Sequence, residues 1–179
     1  MIKLTLVLLL LLAFCHSRKI SLVTGDIFKN KTEWEQPAPA INETVLIQTQ
    51  KSVVRRYLAG DVTFESCPGP HNDIYDIDDD YSHTEPDKAA KNIDVTLILE
   101  GVMNEDEHVD QLHLDVYWNG NLFHSEDHPL NDDVEEQEPY ELQFSWFVPG
   151  FAPSGAYLVD LIVRSAGTEL GCERVSFAL

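Results

Sequence analysis

Basic residues are scarce in this chain: 12 Lys and Arg stand against 31 Asp and Glu, giving a formal net charge of −19 over 179 residues. A surface of that sign repels nucleic acid, whose phosphates need cationic partners, and at neutral pH it repels anionic bilayers. Cysteine is sparse, three in all, and their positions make no CxxC pair and no zinc spacing. Ser154 sits in Pro153-Ser154-Gly155 rather than in a Gly-x-Ser-x-Gly elbow, and no glycine-rich phosphate loop is present. The apolar run Leu4–Phe14 is too short to span a bilayer, and no other stretch is long and apolar enough. No stretch of useful length carries the 3.6-residue period of an amphipathic helix.

The apolar run at Leu4–Phe14 follows a single charge, Lys3, and ends in Cys15-His16-Ser17. That pattern reads as a signal peptide over residues 1–17, cut after Ser17, with a cut after Cys15 as the alternative. The chain is therefore expected to be secreted, or to reside in the lumen of an endosome, lysosome or digestive vacuole. Sequons at Asn30 and Asn42 are candidate glycosylation sites on that route. Outside the leader only Cys67 and Cys172 remain, and an oxidising lumen favours pairing them over leaving two buried free thiols. Closing a loop of that length stabilises by about 4.7 kcal/mol in the chain-entropy account.

Charge divides the remainder in two. Residues 18–60 carry seven Lys/Arg and four Asp/Glu, a net of +3; residues 61–179 carry four Lys/Arg and 27 Asp/Glu, a net of −23. The first segment has no sustained periodicity beyond a candidate strand at Val45, Leu46 and Ile47. It reads as a basic, loosely structured extension, or as a propeptide cut after Arg56 at the dibasic pair.

From Asp61 onward apolar residues alternate with polar ones. Val95, Leu97 and Leu99 form one series, and Leu112, Leu114, Val116 and Trp118 a second. Tyr140, Leu142, Phe144 and Trp146 follow, then Tyr157, Val159, Leu161 and Val163. Asn119-Gly120 is a strong hairpin signal, and Ala166-Gly167 marks another turn. The stretch from Glu126 to Glu138 reads as an acidic loop. The apolar phase slips by one near Glu173-Arg174, a candidate bulge. Seven or eight short strands of this kind predict an all-β, immunoglobulin-like antiparallel sandwich. Its bulky inward residues either fill a solid core about 10 Å thick or line a space between the sheets.

Four features, taken together, resemble the ML-domain lipid-recognition family, which includes Niemann–Pick type C2-like sterol carriers, GM2-activator-like proteins and phosphatidylglycerol/phosphatidylinositol transfer proteins. They are Asp61-Val62-Thr63-Phe64-Glu65-Ser66-Cys67; Asn92-Ile93-Asp94-Val95-Thr96-Leu97; Phe147-Val148-Pro149 with Pro153-Ser154-Gly155-Ala156-Tyr157; and Gly167-Thr168-Glu169-Leu170-Gly171-Cys172. The resemblance spans residues 61–179. It implies sheets that splay to hold a sterol or phospholipid, with no cofactor and no catalytic group. It further implies a cavity lined by Val95, Leu97, Leu99, Leu114, Val116, Trp118, Phe144, Trp146, Val159 and Leu161. Phe147, Pro149, Phe151, Pro153 and Tyr157 would form a turn at its mouth. Many members carry a second cysteine pair near the middle hairpin; here residues 126–138 hold none. The implied partners are the lipid, membranes in transient contact, and a membrane protein that accepts the lipid.

Two polar groupings remain. Asp76–Asp80 and Asp132–Glu136 offer hard oxygens for Ca²⁺ but lack EF-hand spacing, and a solvated charge run is the simpler reading. His71, His83, His108, His113, His124 and His128 all lie in the acidic part and titrate before the carboxylates as pH falls. Acidification would thereby favour contact with anionic membranes. The rival readings are a solid-core immunoglobulin-like module that binds another protein, and a co-receptor that presents a lipid as a signal.

Overall fold

The computed structural model describes residues 19–25 and 61–179. The leader, both sequons, the candidate strand at Val45, Leu46 and Ile47, and the cut after Arg56 lie outside them. The described residues form ten strands: β1 Lys19–Gly25, β2 Thr63–Ser66, β3 Tyr75–Ile77, β4 His83–Glu85, β5 Ile93–Met103, β6 Glu107–Trp118, β7 Asn121–Val134, β8 Pro139–Val148, β9 Ala156–Ser165 and β10 Thr168–Ala178. They make two five-stranded sheets. One runs β1-β8-β5-β3, with β4 also on β5; the other runs β2-β10-β9-β6-β7. All pairings are antiparallel except β1 with β8. The expected all-β sandwich is the observed one, with ten strands among the described residues where seven or eight were expected.

Local chemistry explains the tight connections. Asn119 and Gly120 both have positive φ, 49° and 82°, and join Trp118 to Asn121 in the two-residue turn whose twist matches the strands. Ala166 and Gly167, at 47° and 81°, do the same between Ser165 and Thr168. Cys67 follows β2 and is bonded to Cys172 on β10, with Cα atoms 5.5 Å apart. The bond clamps the short edge strand β2 to its neighbour.

Three details depart from the sequence reading. Residues 19–25, read as part of a loose extension, form β1 along the edge of β8, with Val23 opposite Phe144 and buried. The acidic stretch expected to loop from Glu126 is strand as far as Val134, because β6 pairs with it along nearly its whole length. The bulge expected at Glu173-Arg174 lies between Glu169 and Gly171. The apolar phase is in fact unbroken beyond it: Glu173 points inward alongside Val175 and Phe177, and breaks the hydrophobic pattern only by its chemistry.

Candidate functional site: the inner faces of the sandwich

In an antiparallel sheet, directly paired residues share a face, so the register assigns the inner surface row by row. In the first sheet the rows are Gly25–Trp146–Val95, Val23–Phe144–Leu97 and Ser21–Leu142–Leu99. In the second they are His124–Val116–Val159–Val175, Glu126–Leu114–Leu161–Glu173 and His128–Leu112–Val163–Gly171. Aromatic contacts join the faces: Trp146 lies 6.2 Å from Phe177, which stacks at 5.3 Å on Tyr157.

The ten residues expected to line a lipid cavity all lie on this surface. Val95, Leu97, Leu99, Leu114, Val116, Phe144, Trp146, Val159 and Leu161 are at most 2 % exposed and lie in one continuous cluster, with half-buried Trp118 packed against it. The structure thus brings all ten together, with the two faces in contact.

The turn at residues 149–155 and the Asn119-Gly120 hairpin share one end of the sandwich. Asn119 N–H donates to the Ala156 carbonyl at 2.8 Å, and Ala156 N–H to Asn119 Oδ1 at 3.1 Å. Pro149 and Tyr157 are buried, and Tyr157 donates its hydroxyl to the Pro153 carbonyl at 2.8 Å. Burial holds the Tyr157 hydroxyl well above the usual phenol range. Phe147 and Phe151 project, 48 % and 51 % exposed, so this end presents two aromatic rings to its surroundings.

Sequence reasoning missed the polar groups on the inner face. On β7, His124, Glu126 and His128 sit across from Val116, Leu114 and Leu112 and therefore face inward. The His128 ring lies 5.2 Å from that of Phe144. At the other margin of the same sheet, Glu173 on β10 is fully buried, with neither carboxylate oxygen in a hydrogen bond of good geometry. Burial first, then the nearby Asp79 and Glu65 carboxylates, push its pKa up to about 8. Tyr140, also raised chiefly by burial, donates its hydroxyl to Asp132 Oδ2 at 3.0 Å. The Asn-Gly turn could have located the β7 residues, had the extra residue just after it been legible.

The remaining polar groupings face outward or line the rim. Asp76, Asp78, Asp79 and Asp80, with Tyr81 and Glu100, border an open pocket of about 620 Å³. Among the described residues no group of three or more His, Cys, Asp or Glu is arranged to hold a metal ion. On the outer face of the second sheet, Arg174 grips Asp160 through two bonds of 2.6 and 2.7 Å, and His113 Nδ1 lies 2.6 Å from Asp127.

No family profile matches the chain, and no curated protein does. Solved structures do. A Niemann–Pick type C2 protein from the Japanese carpenter ant is 12% identical, with 64% of this chain and 97% of that one covered at a TM-score of 0.45. Chicken MD-1, solved with lipid IVa, is 14% identical, with 64% and 86% covered at a TM-score of 0.39.

Proposed function

We propose that the protein is a non-enzymatic lipid-binding protein of the ML-domain kind, which carries, transfers or presents a sterol or phospholipid held between its two sheets. The observation that supports this most is the inner surface itself. Between their polar margins the two facing sheets offer aliphatic and aromatic stretches, from Val95, Leu97 and Leu99 across to Leu114 and Leu161. Burying a lipid's apolar area against such a surface gains about 25 cal/mol per Å², less the cost of ordering the guest and parting the sheets. No catalytic group is needed. The four sequence features that resemble the family lie in β2, β5, the 149–155 turn and β10, and two of them end in the cysteines that are bonded.

The same reading assigns membrane contact to Phe147 and Phe151, and places the work in a secreted or endolysosomal setting where acid reduces the repulsion between the acidic surface and anionic bilayers. A core as closed as this one also suits an immunoglobulin-like module that binds another protein. One experiment separates them: native mass spectrometry of the secreted protein at neutral and acidic pH, followed by lipid extraction. The expected result is a sterol or phospholipid at near one-to-one. A lipid-free mass that takes up neither class when offered overturns the proposal and leaves the interaction module.

A further inference from the structure

The inner face of β7 holds a cluster that packing alone does not explain. His124 Nε2 lies 3.3 Å from Glu126 Oε2, and His128 Nε2 lies 3.0 Å from Glu126 Oε1. These are ion-pair distances, yet His124 Nε2, Glu126 Oε1 and His128 Nε2 are shielded from solvent without a contact of hydrogen-bond geometry. Trp146 Nε1, on the facing sheet, is likewise shielded and without a partner. Buried polar atoms are nearly always hydrogen-bonded, and leaving one unsatisfied costs about 1–3 kcal/mol. Several such atoms around one aromatic core describe a place where a polar group belongs.

The surroundings restrict what that group is. Glu126 and the net charge of −23 over residues 61–179 disfavour an anionic head. A quaternary ammonium head has no N–H to give the carboxylate and no acceptor for an imidazole N–H. A hydroxyl has both: it donates to Glu126 and accepts from His124 or His128. Immediately inward of the cluster, Leu114 and Leu161 continue the same row and Phe144 lies against His128, so an apolar body has a surface directly beyond the head.

Building on the lipid-binding reading, we propose that His124, Glu126 and His128 form the polar anchor of the site and hold the hydroxyl head of a neutral lipid at the edge that β1 covers. A Cβ placed on Gly25 of β1 would come within 2.8 Å of Glu126 Oε1 and 2.5 Å of the Phe144 ring, so the strand lies directly over the anchor.

The test offers the full secreted chain two matched pairs of neutral probes. The first pair is dehydroergosterol and its 3-deoxy analogue; the second is monooleoylglycerol and methyl oleate. The unmodified protein is expected to prefer the hydroxylated member of at least one pair by about fivefold or more, as a net hydrogen bond implies. Glu126→Gln, which trades the carboxylate for a weaker acceptor, and His128→Phe, which removes one of the two imidazoles, should each narrow the preference severalfold, with circular dichroism and the urea midpoint certifying that both variants fold. Equal binding of both members, or equal weakening of both by the variants, overturns the anchor and leaves lipid binding standing. Uptake of none of the four probes overturns the lipid reading and the anchor together.

Discussion

Glu126 and Glu173 stand in one cross-strand row, Glu126–Leu114–Leu161–Glu173–Ser66, and the same fold treats them differently. Glu126, on the outermost strand of its sheet, retains 22% side-chain exposure and lies between two histidines. Glu173, one strand in from the opposite edge and enclosed by β2, β9 and the residues around β3, has no accessible surface and has the Asp79 and Glu65 carboxylates nearby. A carboxyl on an edge strand, held between two imidazoles, can offer its oxygens to a guest. One sealed among acids is held neutral and acts as part of the packing. The two leucines between them belong to neither regime; they are plain core.

The largest expected effect comes from breaking the surface shared by both ends. Phe144 touches His128 and stacks on Trp146 at 5.6 Å. Phe144→Ala should destabilise the fold by about 3–5 kcal/mol, read from urea unfolding. A loss no greater than that of a surface substitution would mean the two sheets do not close on this ring.

A second measurement separates the two carboxyls by pH. The folded pKa of Glu173 lies above its ordinary value, so the native state binds more protons than the unfolded chain. Its contribution to stability is then fully present below about pH 4.5 and is lost as pH rises towards about 8. General repulsion among the acids has the same sign, so the informative quantity is the difference between the unmodified protein and Glu173→Gln. The variant should show a flatter stability profile across that window, by a few kcal/mol at most, in chemical denaturation at a series of pH values. Parallel profiles would place Glu173 with the ordinary solvated acids.

Gly25→Ala gives the smallest effect and bears on the Glu126 end alone. The added methyl meets the Phe144 ring and Glu126, which implies a loss of about 1–3 kcal/mol from overpacking. Amide hydrogen exchange should show it as faster exchange confined to residues 19–25 and the β8 edge. Exchange unchanged in β1 would mean the strand does not sit over the Glu126 cluster.

Alternation along β5, β6, β8 and β9 was enough to give the sandwich and the inward orientation of the ten residues assigned to a lipid cavity, because period-2 burial is a local property of an extended chain packed on one face. Asn119-Gly120, Ala166-Gly167 and the Cys67–Cys172 pair were equally legible, each resting on the chemistry of a few residues. The polar inner stripe was not. Counting back from the two-residue turn pairs Val116 with Phe123, which would turn Phe123, Ser125 and Asp127 inward. In the structure Tyr117 pairs with Leu122 but Val116 with His124. One extra residue in β7 reverses the phase and brings His124, Glu126 and His128 inside. Whether a strand absorbs such a residue depends on what its neighbours can pack. The same holds for β1, whose sequence Lys-Ile-Ser-Leu-Val-Thr-Gly finds its place only through the free edge of β8. The sequence by itself determined that β5, β6, β8 and β9 form and which of their faces are apolar. Tertiary packing decided the register, and through it which polar groups were carried into the interior.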